Sequence, residues 1–264
     1  MCCFTGSIRA VSGTRIFART TEPGRQLLVY AMQLDAVSDV AMVLPIPVPP
    51  GAGEDAVRFV DLSEAPDFFT QLSALFPPVP QPARARVPGE PVPRSNALVV
   101  HEVGEFEASF VPSIDDFERL DARFRLPKKT WHTLPEYADY GFAVFKLRMN
   151  QRTPGLAERV RSAFLVNAAP VVQPPRKFHR MAFTFPTRDA RLFFPTVHIH
   201  DGEAHAEAEF DHELFMQGET QAGWECSMTP ASRAAGTTRK HLDESAFVQR
   251  LTMHGLLKNR DTWV

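Results

Sequence analysis

The sequence predicts a strand-rich α+β protein, built from largely antiparallel sheets with a few amphipathic helices. Short runs of β-branched and aromatic residues recur between proline- and glycine-containing turn signals. Two segments carry apolar residues at helical spacing instead. The chain has 264 residues, 44% of them hydrophobic, which is enough for a packed core in one domain or two lobes.

The first elements form a hairpin. Residues 15–19 and 26–34 are strand-like and flank the turn signal EPGR at 22–25. Residues 39–51 read as a buried strand running into an extended exit. Prolines 45, 47, 49 and 50 cannot donate to a ladder, so this stretch is expected at a sheet edge or leaving the sheet. Phe68, Phe69, Leu72, Leu75 and Phe76 then share one helical face, and Pro77-Pro78 stops the helix.

Residues 77–93 hold seven prolines and little to bury, so they read as a linker or long surface loop. The expected organisation is a strand-rich half over 1–76, a proline-rich connection or long loop over 77–97, and a second strand-rich half over 98–264, as two lobes or packed as one domain. Beyond the connection, residues 98–103 and 106–111 read as paired strands. Ser113 caps a helix over 113–124 with Ile114, Phe117, Leu120 and Phe124 on one face. Residues 140–149, 180–185 and 192–200 alternate as strands, and 243–257 reads as a last helix with Phe247, Leu251 and His254 inward.

Charge excludes one partner class. The 29 basic and 31 acidic residues are interspersed, with no Lys/Arg run to neutralise a phosphate backbone, so no nucleic-acid partner is expected. The first residues lack a basic segment followed by an apolar stretch, and no apolar run is long enough to span a bilayer. The expectation is a soluble, cytoplasmic protein. Three cysteines do not make a disulfide framework, and Cys226 reads as a buried structural thiol.

Two features carry chemistry. Cys2 and Cys3 stand at the head of the sequence, and TVHIHDGEAHAEAEFDH occupies 196–212. On a strand, His198 and His200 point to one face and Ile199 to the other. After Asp201-Gly202 a returning strand brings His205 or His212 toward them. The same alternation also describes a solvated strand face. Thiolate sulfur with imidazole nitrogen suits copper, zinc or, less readily, iron. The candidate metal ligands are therefore Cys2, Cys3, His198, His200 and His212, with copper favoured.

Several segments resemble an uncharacterised bacterial domain family that opens with a cysteine-containing N-terminus. They are CCF at 2–4, IFA at 16–18, DVAMVLPIP at 39–47 and YADYGFAVFKL at 137–147. The resemblance implies no established activity. A second resemblance is to cysteine N-terminal-nucleophile hydrolases, carried by FARTTE at 17–22, where that group has Phe-x-Arg-x-x-Asp. It implies Cys2 as nucleophile once Met1 is removed, with its own amine as base. Arg19 is then the catalytic-site arginine. Arg15 and Arg19 alternate to one face, where they suit a substrate carboxylate or a surface ion pair.

The chain has no dinucleotide fingerprint, Walker loop, His-Glu-x-x-His or Gly-x-Ser-x-Gly motif, which argues against nucleotide-dependent transfer, zincin proteolysis and serine hydrolysis. The leading expectation is a metal-binding protein, with oxidoreductase chemistry on a copper-type ion and a small-molecule or peptide substrate. The alternatives are a cysteine amidohydrolase using Cys2 and a non-catalytic binding module.

Overall fold

The computed structural model describes residues 2–6, 8–36, 38–77, 106–122, 125–126, 130–131, 134–147, 176–177, 180–199 and 205–264. The connection at 77–97 and the expected strand at 98–103 therefore lie almost wholly outside the described residues.

The chain is a strand-rich α+β protein. β1 (Cys2–Phe4) is followed by the long hairpin of β2 (Ile8–Glu22) and β3 (Arg25–Ala36), then β4 (Val40–Ile46), β5 (Arg58–Val60) and the helix α1 (Phe68–Ser73). Next come β6 (Phe106–Val111), β7 (Gly141–Leu147), β8 (Arg176–Lys177) and β9 (Met181–Pro186). β10 (Phe193–Phe194), β11 (His198–Ile199), β12 (Glu207–Gln217) and β13 (Glu225–Cys226) lead to a one-turn helix, α2 (Gly236–Arg239). The chain closes with β14 (Gln249–Lys258) and β15 (Thr262–Trp263).

Two sheets face each other. One has the order β11-β1-β4-β7-β6, the other β13-β14-β12-β2-β3-β9-β5 with β8 also on β3. Strands from both sides of the proline-rich stretch share each sheet. Between the sheets, Met42, Leu44, Ala143 and Phe145 of the first meet Ile16, Leu28, Tyr30, Phe183 and Leu214 of the second. The alternation of a strand sends their neighbours the other way. Phe17, Val29 and Phe215 face outward onto α1, against Phe68, Phe69 and Leu72. Cys3, Val43, Val144 and Ile199 face outward from the smaller sheet, against Phe117, Trp131 and Tyr137.

β4 lies between β1 and β7, inside its sheet and buried along its whole length. The expected edge position is corrected for Pro45, whereas the exit is as expected: β4 ends at Ile46, and Pro47, Pro49 and Pro50 lie beyond the strand. Among the described residues β1 registers with Met42 and Val43, and Pro45 lies past those pairs, opposite Phe142 of β7.

Two helix expectations shrink or fail. The described residues of 113–124 carry a 3-10 turn, Asp115–Arg119, with Phe117 buried, in place of an α-helix there. Residues 249–258 are β14 rather than a helix, and Phe247 and His254 are exposed. The whole of β14 pairs with β12, from Glu207↔Lys258 to Met216↔Gln249, and this tertiary pairing overrides the helical spacing.

Four side-chain amides substitute for missing ladder partners. Gln26 donates to the Phe193 carbonyl at 2.7 Å and accepts from its N–H at 2.9 Å. Gln217 grips Asp243 in both directions, and Gln249 ties down Gly218, Glu219 and Gln221. Asn259 does the same for His198. An amide offers both donor and acceptor, so it can pair with a backbone as another strand would.

Candidate functional site: an imidazole-lined cleft

His198 and His212 meet between the sheets. Ile199 and Cys3, ladder partners in the parallel pairing of β11 with β1, both lie in the outward-facing cluster of the smaller sheet. His198, one residue away, therefore turns to the inter-sheet side. On β12, His212 follows the inward phase of Leu214 and Met216 and is buried, while Asp211 points outward. The two Nε2 atoms stand 3.0 Å apart. One ring must donate its Nε2 proton and the other accept. The rings are stacked at 4.7 Å, and Phe210 stacks on His198 at 4.4 Å, so both imidazoles are fixed in orientation.

The backbone of His198 is held as firmly as its ring. The Asn259 Oδ1 accepts from His198 N–H at 2.7 Å, and Asn259 Nδ2 donates to the His198 carbonyl at 2.9 Å and the His205 carbonyl at 3.0 Å. Just upstream, Asp261 accepts from the N–H groups of Thr196 and Val197 and from the Tyr137 hydroxyl at 2.7 Å. Burial first, then the Asp261 carboxylate, raises the Tyr137 pKa, so the phenol stays a donor.

The pair opens on a cleft of about 750 Å³, lined by Ile8 to Val11 of β2, by Glu207 to His212 of β12, and by His205 and His254. Glu207, Glu209 and Asp211 are among its lining residues, with one guanidinium, that of Arg9, which ion-pairs with Asp35. Asp211 accepts a hydrogen bond from the Gly13 N–H at the closed end.

The structure brings together some of the expected site residues. Cys2 registers directly with His198 across the β1/β11 ladder, about 4.8 Å apart at the spacing of paired strands. The Cys2 side chain and all of His200 lie outside the described residues. Cys3 takes the opposite side of β1, buried with Val43, Val197 and Ile199, and is separated from the imidazole pair by strand alternation. Arg19 lies at the far end of β2, five residues past Thr14, or about 16 Å along the strand. It donates to the His241 carbonyl at 2.8 Å, and burial lowers its pKa. Arg15 forms a 2.8 Å ion pair with Glu213. Cys226 is exposed on β13, contrary to expectation, because that short strand is at the sheet edge. Asn259 was invisible in the sequence, since a single Asn after a strand carries no pattern.

Two imidazoles at this separation nearly match the bite of a metal ion. Metal–nitrogen bonds of about 2.0–2.1 Å in tetrahedral geometry put two ligand nitrogens about 3.3–3.4 Å apart. Among the described residues, no group of three or more His, Cys, Asp or Glu gathers at one ion position.

The geometry defines an α+β protein with two large facing sheets, a small third sheet of β10 and β15, and an imidazole-lined cleft. No family model matches the sequence. Among solved structures the chain is similar to baculovirus P35, with TM-score 0.48 and 12% identity over 97% of this chain and 96% of that one. It is also similar to a mutated baculovirus P35 after caspase cleavage, with TM-score 0.44 and 12% identity over 96% and 99% of the two chains. For the caspase-8/P35 complex the TM-score is 0.42 and the identity 11%, over 96% and 95%. At these values the likeness assigns neither family nor function. No helix among the described residues is long and apolar enough to cross a membrane.

Proposed function

We propose that this chain binds one copper- or zinc-type ion through the Nε2 atoms of His198 and His212, with the Cys2 thiolate as third ligand. The observation that carries the reading is the 3.0 Å approach of the two Nε2 atoms. Widening it by a few tenths of an ångström reaches the ligand spacing of a tetrahedral ion. The register of Cys2 with His198 supports a thiolate contribution, and sulfur with imidazole suits these ions. Cys3, Arg19 and His205 have no ligand role in this reading.

Titration of the metal-free protein with Zn²⁺ tests it. One ion per chain is expected, with affinity reduced at least about a hundredfold in His198→Ala and His212→Ala. Loading with Co²⁺ adds a direct test of the sulfur: a thiolate-to-metal charge-transfer band should appear and vanish in Cys2→Ala. Undiminished Zn²⁺ affinity in both histidine variants would overturn the proposal.

The same register favours a second reading, in which Cys2 is a nucleophile and His198 its base. Fast alkylation of Cys2 in metal-free protein, slowed in His198→Ala, would support it. An intact mass that retains Met1 would remove the version in which the Cys2 amine acts as base.

A further inference from the structure

The cleft has another property that does not depend on metal. β2 and β12 run parallel and pair from Arg15↔Glu213 to Gln217↔Arg19. Toward their N-terminal ends each keeps its outer neighbour, β3 or β14. Among the described residues, however, no ladder pairing joins the facing edges of 8–14 and 207–211. The chain dictates this parting. Register shifts at Ile8/Ala10 and Ser12/Arg15 enclose Gly13, whose φ of +59° suits glycine, and bulges of this kind bend a strand and increase its twist. At the fork the Gly13 N–H is accepted by the Asp211 side chain rather than by a backbone carbonyl. The pairing stops there, and the cleft begins.

Two facing strand edges are a template for a third strand, since their N–H and C=O groups can pair with any extended backbone. Residues 207–212 span about 20 Å at strand rise, the length of a five- or six-residue segment. The charge of the lining selects the guest: Glu207, Glu209 and Asp211 outnumber Arg9. A sheet face would recognise alternate side chains of such a guest, because its residues also point alternately to the two sides.

We propose that the cleft binds an extended, basic peptide segment as an added strand between β2 and β12. Backbone hydrogen bonds supply the affinity, and the acidic lining prefers Lys or Arg at alternate positions.

The experiment measures fluorescence anisotropy of a labelled Lys-Val-Lys-Val-Lys-Thr peptide with the full chain, in EDTA. Two comparison peptides replace Lys by Glu, or methylate alternate backbone nitrogens. The basic peptide should bind, and both comparison peptides should bind at least about tenfold more weakly. Ala10→Phe, which fills the cleft from an exposed position, should reduce binding at least about tenfold. The exposed double variant Glu207→Lys/Glu209→Lys should shift preference to the Glu peptide, and it keeps the test valid if Ala10→Phe does not fold. Equal binding of the N-methylated peptide would show attraction by charge alone and overturn the strand-addition proposal. Absence of binding by every peptide, or binding indifferent to both variants, would also overturn it. Because EDTA is present throughout, these outcomes are separate from success or failure of the metal reading.

Discussion

Asn259 pairs with His198 as a strand would, accepting from its N–H at 2.7 Å and donating to its carbonyl at 2.9 Å. Among the described residues β11 covers His198–Ile199, with β1 on one side. The amide of Asn259 closes the other side and so fixes where the His198 ring starts.

Asn259→Ala should therefore destabilise the protein by about 1–3 kcal/mol, since two half-buried backbone groups lose their partners. Asn259→Asp keeps an acceptor for His198 N–H but no donor for the carbonyls of His198 and His205, so part of the loss should remain. Urea denaturation gives the energies. The imidazole NMR signals of His198 and His212 should broaden or shift in the alanine variant while the Phe183 signals do not.

Gly141 in β7 leaves room for Phe110. A methyl group added there would lie 2.5 Å from Phe110 Cε2 and 3.0 Å from Val48 Cγ2. Gly141→Ala should cost about 1–3 kcal/mol through overpacking. Adding Phe110→Leu should recover part of that loss, which a double-mutant cycle would measure.

Tyr137→Phe removes one donor to Asp261, whereas Asp261→Ala strands the Tyr137 hydroxyl and the N–H groups of Thr196 and Val197 together. The first should cost about 1–2 kcal/mol and the second clearly more, because the N–H groups of Thr196 and Val197 also lose their acceptor. Near-equal losses in thermal denaturation would contradict this hierarchy.

His241 gives stability a pH dependence of known sign. Burial, then the charges of Arg19 and Lys240, lower its pKa below 6.5 in the fold, with Glu64 opposing. As pH falls through about 6.5 the unfolded chain takes the proton first, so stability drops until the lower folded value is passed. Above that window His241 contributes no slope. His241→Gln should flatten the fall in urea midpoint as pH drops below about 6.5.

Much of the fold could be read from the residues, because burial imposes period two. β3, β7 and β9 carry enough Val, Leu, Ile and Phe to mark both their place and their type. The apolar run at 68–76 likewise marked α1. The last element was ambiguous: Phe247, Leu251 and His254 fit a helix, yet QRLTMHGLLK also alternates, and the partner that decides between them is β12, more than thirty residues away. Residues 192–200 were expected as one strand and instead divide between β10 and β11, which serve different sheets.

The site was legible in its residue types but not in its arrangement. Alternation correctly opposed His198 to Ile199. It could not show that His198 and His212 approach from different sheets, nor that Cys3 would be drawn into an apolar cluster by Val43 and Ile199. Cleft shape depends on bulges around Gly13, whose effect on strand direction appears only once β3 and β12 are both in place.

The neighbours of His198 come from residue 2 on one side and residue 259 on the other. During synthesis, β1 and β4 can form early, but the backbone of His198 waits for a partner made some sixty residues later. Such long sequence separations slow folding. A nascent chain stopped before residue 259 would carry both imidazoles without the clasp on the His198 backbone, so their fixed approach belongs to the completed fold rather than to its assembly.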